Sequence, residues 1–203
     1  MRNDERLRTI YEVMAPYIVR NEHNWRDYLA FASQFHKHNF DNILLVYAQD
    51  EDVSILATRK QWAAIGRNLI PRAKGVAVCV YRNAKLTLDY LFDVSQTTGK
   101  EIHPTDWQLS DEMKEALTER LSYAHGFPKQ GFSQALYALA SESVADNYNH
   151  FLQELKQETK GHLFTEIPAG GFEAQYIQLL TDSISYFIGK KCHLPDEEIQ
   201  LSD

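Results

Sequence analysis

Val76-Ala77-Val78-Cys79-Val80-Tyr81, then Arg82-Asn83-Ala84-Lys85, then Leu86-Thr87-Leu88-Asp89-Tyr90-Leu91-Phe92-Asp93-Val94, is the stretch on which the fold turns. Val76, Val78 and Val80 alternate with Ala77, Cys79 and Tyr81. Leu86, Leu88, Tyr90, Phe92 and Val94 alternate with Thr87, Asp89, Leu91 and Asp93. A period of two in β-branched and aromatic residues means strands, because successive side chains leave a strand on opposite faces. Residues 82–85 between them read as a four-residue hairpin connection. That places Arg82 and Lys85 at one tip, where neither charge is easily buried.

On either side the period lengthens. Leu7, Ile10, Tyr11, Met14 and Ile18 recur at helical spacing. Trp25, Tyr28, Leu29, Ala32, Phe35 and His36 repeat the pattern behind Asn24, a predicted N-cap. Phe40 to Gln49 reads as a third helix entered through Asn39 or Asp41. Ser54 to Ala57 suits a short strand, and Thr58 a cap for a helix that carries Trp62 and stops at Gly66. Beyond Gly99, Ser110 and Ser133 open two further helices, the first running towards Tyr123 and the second past Leu155. A loop with Pro168, Gly170 and Gly171 leads to a last helix with the face Phe172, Tyr176, Leu180, Ile184 and Phe187, ended by Pro195. The expected class is α+β: a small antiparallel sheet with a basic hairpin, flanked by N-terminal and C-terminal helices. It is read as one domain over 1–203, with 1–109 as the sheet-bearing core and 110–203 as its helical second half.

At 203 residues and 44% hydrophobic content, the chain can bury a sizeable core, which argues against wholesale disorder. No apolar run is long enough for a bilayer, and the charged N-terminus has no apolar segment behind it. Membrane partners are therefore not expected. Cys79 and Cys192 are too few for a disulfide framework and lack metal-ligand spacing, so a reducing cytoplasm is the expected compartment.

The charge pattern points to a ligand. Residues 53–88 contain no Asp or Glu, yet hold Arg59, Lys60, Arg67, Arg72, Lys74, Arg82 and Lys85, in a chain whose formal charge is −7. Ordinary surfaces intersperse both signs. Unopposed cations interleaved with Trp62 and Tyr81 suit a polyanion whose phosphates are neutralised and whose bases stack, and nucleic acid comes first. The competing reading is a solvated face with Trp62 in the core. Asn42 and Gln49 lie seven residues apart, two turns along one helix face. Their amides suit bases or phosphates, and equally the backbone of a neighbouring loop.

Catalytic and metal signatures are weak. His36 continues an apolar face, His38 would point elsewhere, and no His-Glu-x-x-His occurs. There is no Gly-x-Ser-x-Gly elbow, Walker loop or dinucleotide fingerprint, and Gly170-Gly171 reads as a turn. Neither an enzyme, a metal nor a cofactor is expected.

The order of short motifs resembles the N-terminal single-stranded-DNA-binding domain family of the antirestriction protein ArdC and its relatives on conjugative mobile elements. The matching residues are Trp25-x-x-Tyr28-Leu29, then 40–49 (Phe-Asp-Asn-Ile-Leu-Leu-Val-Tyr-Ala-Gln). After these come Trp62, Gly66-Arg67, Lys74-Gly75, and Phe92-Asp93-Val94-Ser95-Gln96-Thr97. The resemblance covers roughly 24–98. It implies sequence-independent binding of single-stranded DNA during conjugation or antirestriction, with Asn42, Gln49, Trp62, Arg67 and Lys74 on motif positions. It also implies helicase, methylase or protease domains as companions in a larger bacterial protein. Two departures stand out. Pro71-Arg72 occupies the place of a basic residue followed by glycine, and Asp50-Glu51-Asp52 follows Gln49.

The expected function is thus a non-enzymatic single-stranded-DNA-binding module. Arg67, Arg72, Lys74, Arg82 and Lys85 would contact phosphates, Trp62 or Tyr81 would stack, and Asn42 and Gln49 would hydrogen-bond. Two other classes compete. One is an acidic DNA mimic using the negative remainder of the chain. The other is a protein–protein adaptor docking through the Phe172–Phe187 helix.

Overall fold

In the computed structural model the described residues are 3–35, 38–82, 85–102, 109–127, 131–158, 160 and 171–202. Among them are seven α-helices and two small antiparallel sheets, with helices at both ends, an α+β fold. The chain divides into two compact units, Met1–Asp106 and Trp107–Asp203, close to the 109/110 division in the sequence. His36, Asn83, Ala84, Pro168 and Gly170 lie outside the described residues.

The first unit opens with α1 (Asn3–Ile18), α2 (Glu22–Ser33) and α3 (Phe40–Gln49). The N-cap of α2 is Asn21 rather than Asn24. Its side chain accepts from the Asn24 N–H at 2.9 Å, so Asn24 is the N3 position and the helix begins a turn earlier than its apolar pattern. Asn39 caps α3 in the same way, accepting from the Asn42 N–H at 3.0 Å. Tyr28, fully buried, meets Phe40 and Tyr47 edge-on at ring distances of 5.3 and 5.6 Å, and Phe31 meets Phe35 and Tyr47 at 5.0 Å. The buried rings of Tyr28, Phe31 and Phe35 each contribute about 1.5–3 kcal/mol by leaving water.

Next come β1 (Leu56–Ala57), α4 (Arg59–Ala64), β2 (Arg67–Leu69), β3 (Val76–Arg82), β4 (Lys85–Asp93) and β5 (Thr97–Gly99). Thr58 caps α4 in a full capping box with Gln61. The hairpin strands run further than the alternation indicated, since Arg82 pairs directly with Lys85. The three-stranded sheet has the order β1-β4-β3, and β2 pairs with β5 in a second. The sequence did not signal that second sheet. Its register requires glycine at 99, where φ is +134 and a β-carbon would sit 2.4 Å from the Gly66 carbonyl oxygen.

The second unit is helical. It holds α5 (Asp111–His125), α6 (Phe132–Glu158) and α7 (Phe172–Lys191). Ser110 caps α5, and Gly126 ends it in the left-handed region. Helix α7 buries small residues: Thr181 and Ser185 are each 1% exposed, and a β-carbon on Gly189 would strike Ile199 at 2.8 Å. Tyr176 stacks on Phe151 at 4.2 Å.

Candidate nucleic-acid interface

The strand register decides which side chains face outward. Val76 pairs with Leu91, Val78 with Asp89 and Val80 with Thr87, so these share one face of the hairpin. That face holds the core: Val76, Val78, Leu91 and Asp93 are all buried. Tyr81, Leu86, Leu88, Tyr90 and Phe92 therefore share the other face. Tyr81 is 78% exposed, Leu86 47% and Tyr90 46%. The more apolar of the two β4 sets is thus the outward one.

Around it, Arg72 and Lys74 are exposed in the turn that leads into β3, while Arg82 and Lys85 are exposed at the far end of the hairpin. Arg59 and Lys60 are exposed at the start of α4. The Arg82 guanidinium donates to Asp89 Oδ2 at 2.6 Å, an ion pair formed with the first acid beyond the acid-free window. Ile70 and Ala73 close the turn with a 3.2 Å hydrogen bond. Pro71 occupies its first central position and Arg72 the second, at φ +66. That is the geometry of a type II turn, whose second central position favours glycine.

Other residues expected at the interface hold the fold. The Asn42 amide donates to the Cys79 carbonyl at 2.8 Å and accepts from the Cys79 N–H at 2.7 Å. Gln49 treats Ala77 identically, at 2.9 and 3.0 Å. Trp62 is 2% exposed and donates its indole N–H to the Phe92 carbonyl at 2.8 Å, so neither ring face is open for stacking. Arg67, half-buried, donates to the Thr97 hydroxyl at 2.7 Å, the Thr97 carbonyl at 3.0 Å and the Lys100 carbonyl at 2.5 Å. Its donors are turned inward onto β5. The structure thus brings Arg72, Lys74, Tyr81, Arg82 and Lys85 to the exposed hairpin and its entry turn, and leaves Asn42, Gln49, Trp62 and Arg67 bonded within the unit.

The 92–97 segment explains why these motifs occur together. Phe92 accepts from Trp62, and Asp93 Oδ2 accepts from the Ser54 and Ile55 N–H groups at 2.7 and 3.0 Å. Gln96 accepts from the Ile70 N–H through its carbonyl and from the Lys74 N–H through its side chain at 2.7 Å. Thr97 accepts from Arg67. One short segment therefore fixes α4, the Arg72 turn and the entry to β3. Burial would raise the Asp93 pKa, but bonds from Ser95, Ser54 and Ile55 outweigh it and hold the carboxyl below its ordinary range.

Burial, and secondarily the Asp41 charge, push the Cys79 thiol above its ordinary range, away from a reactive thiolate. His38 is held below its ordinary value by burial. Among the described residues no three His, Cys, Asp or Glu side chains group as metal ligands, and no helix is long and apolar enough to cross a membrane.

No protein-family model matches the chain, and it has no significant match among curated proteins or solved structures.

Proposed function

We propose that the first unit is a non-enzymatic, largely sequence-independent single-stranded-DNA-binding module. It would be one part of a larger cytoplasmic protein of a conjugative or antirestriction system, in keeping with the resemblance to the ArdC family. The observation that carries the reading is Tyr81, 78% exposed on the outward hairpin face, with exposed Arg72 and Lys74 at one end of the hairpin and Arg82 and Lys85 at the other. An aromatic face offers stacking to any base, and cations near the ends of the hairpin offer partners to phosphates that pass it.

Fluorescence anisotropy with a labelled oligothymidine over a series of salt concentrations tests this. Four phosphate contacts predict a slope of log K against log salt of about −3, from roughly −0.7 per neutralised phosphate on a single strand. Absent binding at low salt, or binding indifferent to salt, overturns the reading.

A further inference from the structure

The outward face of the hairpin carries more apolar surface than the fold uses. On a half-solvated antiparallel sheet the outer set is ordinarily polar. Here the outer positions of β4 are Leu86, Leu88, Tyr90 and Phe92, while Asp89 and Asp93 lie on the core side. Gly75 lies against the lower end of that face. A β-carbon there would stand 3.0 Å from two ring atoms of Phe92 and from Cβ of Tyr90, so its absence lets both residues sit close against the backbone entering β3. Lys74 directly precedes this glycine, and Arg82 and Lys85 directly follow and precede Tyr81 and Leu86. The described outward positions of the two strands include no acid, and Arg82 and Lys85 leave the strands on the opposite face, the side of Asp89.

Tyr90 stands opposite Ala77, four residues along β3 from Tyr81. At ~3.4 Å per residue the two rings are rooted about 14 Å apart along the strand. One base cannot touch both.

We propose that Tyr90 is a second base-stacking platform. One unpaired strand would run along the outward face of the hairpin, over Tyr81 and then Tyr90, to the Arg72–Lys74 turn. The inference rests on the single-stranded-nucleic-acid reading above and adds the path and the second contact. Charge complementarity selects the occupant, because exposed Arg72 and Lys74 border the Tyr90 end of this apolar face and suit a phosphate beside a stacked base.

The test uses anisotropy with a labelled twelve-nucleotide oligothymidine on the full chain. Tyr90→Ala weakens binding roughly 5- to 150-fold, the equivalent of the ~1–3 kcal/mol typical of one base–aromatic stack, with the salt slope unchanged. Tyr90→Phe retains wild-type affinity. The Tyr81→Ala/Tyr90→Ala double variant loses the product of the single losses, as expected for sites this far apart. Wild-type affinity in Tyr90→Ala, with steep salt dependence preserved, overturns the second platform and leaves the nucleic-acid reading standing. Absent binding by the wild type overturns both. A measurement that needs no substitution is photo-crosslinking of an iodouracil-containing oligonucleotide to the wild type. A crosslink at Tyr90 supports the path, and crosslinks confined to residues outside 72–92 overturn it.

Discussion

The Asn42 side-chain amide pairs with both backbone groups of Cys79, donating to its carbonyl at 2.8 Å and accepting from its N–H at 2.7 Å. Gln49 repeats the arrangement at Ala77. β3 is an edge strand, and its outward N–H and C=O groups would otherwise be unpaired. The helix thus supplies two amides in place of a neighbouring strand. Asn42 at the start of α3 meets Cys79 and Gln49 at its end meets Ala77, so helix and strand run in opposite directions. Seven helical residues rise about 10.5 Å while two strand residues span about 7 Å, and the longer glutamine closes the gap.

This arrangement predicts that Asn42→Ala lowers stability by about 2–4 kcal/mol, because a buried amide is lost and two strand-edge groups are stranded. Gln49→Ala should cost less, about 0.5–1.5 kcal/mol, since Gln49 is exposed and water can take its place. Urea unfolding measures both. Under conditions where each variant is folded, the affinity for oligothymidine stays at the wild-type value. A drop in affinity without a drop in stability would return these amides to the interface.

Arg72 holds a left-handed conformation that an L side chain pays for, at φ +66 behind Pro71. Glycine takes that conformation freely but adds entropy to the unfolded chain, so Arg72→Gly nets a gain of about 0.5–1 kcal/mol. Removing the cation acts oppositely on binding: affinity falls, and the salt slope shrinks by about 0.7. A rise in the urea midpoint together with a shallower salt slope is the expected pair of results. Arg72 is a residue kept against its backbone preference, which suits a cation retained for contact.

Asp93 makes the pH dependence of the first unit predictable. Its folded pKa is depressed, so its stabilisation is complete above the ordinary aspartate value near 3.8 and is lost as pH falls through the lower folded value. Wild-type stability should therefore decline on acidification below about pH 4. Asp93→Asn keeps the shape but turns an N–H donor or a weaker acceptor towards Ser54 and Ile55. It should cost about 2–4 kcal/mol at neutral pH and flatten that part of the acid decline. Thermal melts of both proteins across pH 2.5–7 check it (a range set by roughly the unperturbed carboxylate values).

Legibility in the sequence followed periodicity and caps. The β3–β4 hairpin and the Ser110 and Thr58 caps could be read directly, because each depends on residues close together in the chain, while the structure settled Asn39 over Asp41 and added Gln61 to the Thr58 cap. The β2–β5 sheet could not, since its strands are three residues long and their register requires glycine at 99 against the Gly66 carbonyl. Within the acid-free window the seven cations look alike in sequence. What separates Arg67 from Arg72 is the Thr97 hydroxyl and two carbonyls, brought up by β5. Which face of β4 turned outward was also hidden. Its apolar set is the natural choice for a core, and only the register with Val76 and Val78 reverses that choice.

Asp89 restrains the hairpin tip. Its carboxylate occupies the Arg82 guanidinium at 2.6 Å, in a pair whose arginine side chain is 62% exposed. An exposed pair of this kind adds only ~0.2–1 kcal/mol to stability, so Asp89→Asn leaves the melting behaviour almost unchanged. The asparagine oxygen can still accept from the Tyr90 N–H, as Asp89 Oδ1 does at 2.9 Å. Binding changes more visibly. With its competitor neutralised, Arg82 is available to a phosphate, and affinity at low salt rises roughly two- to fivefold, the equivalent of releasing that ion pair. The slope of log K against log salt steepens by up to about 0.7, and the gain shrinks as salt is added. Arg82→Ala in the same background removes the gain. If Asp89→Asn alters neither affinity nor slope, Arg82 lies off the path of the strand, and the phosphates at that end fall to Lys85 alone.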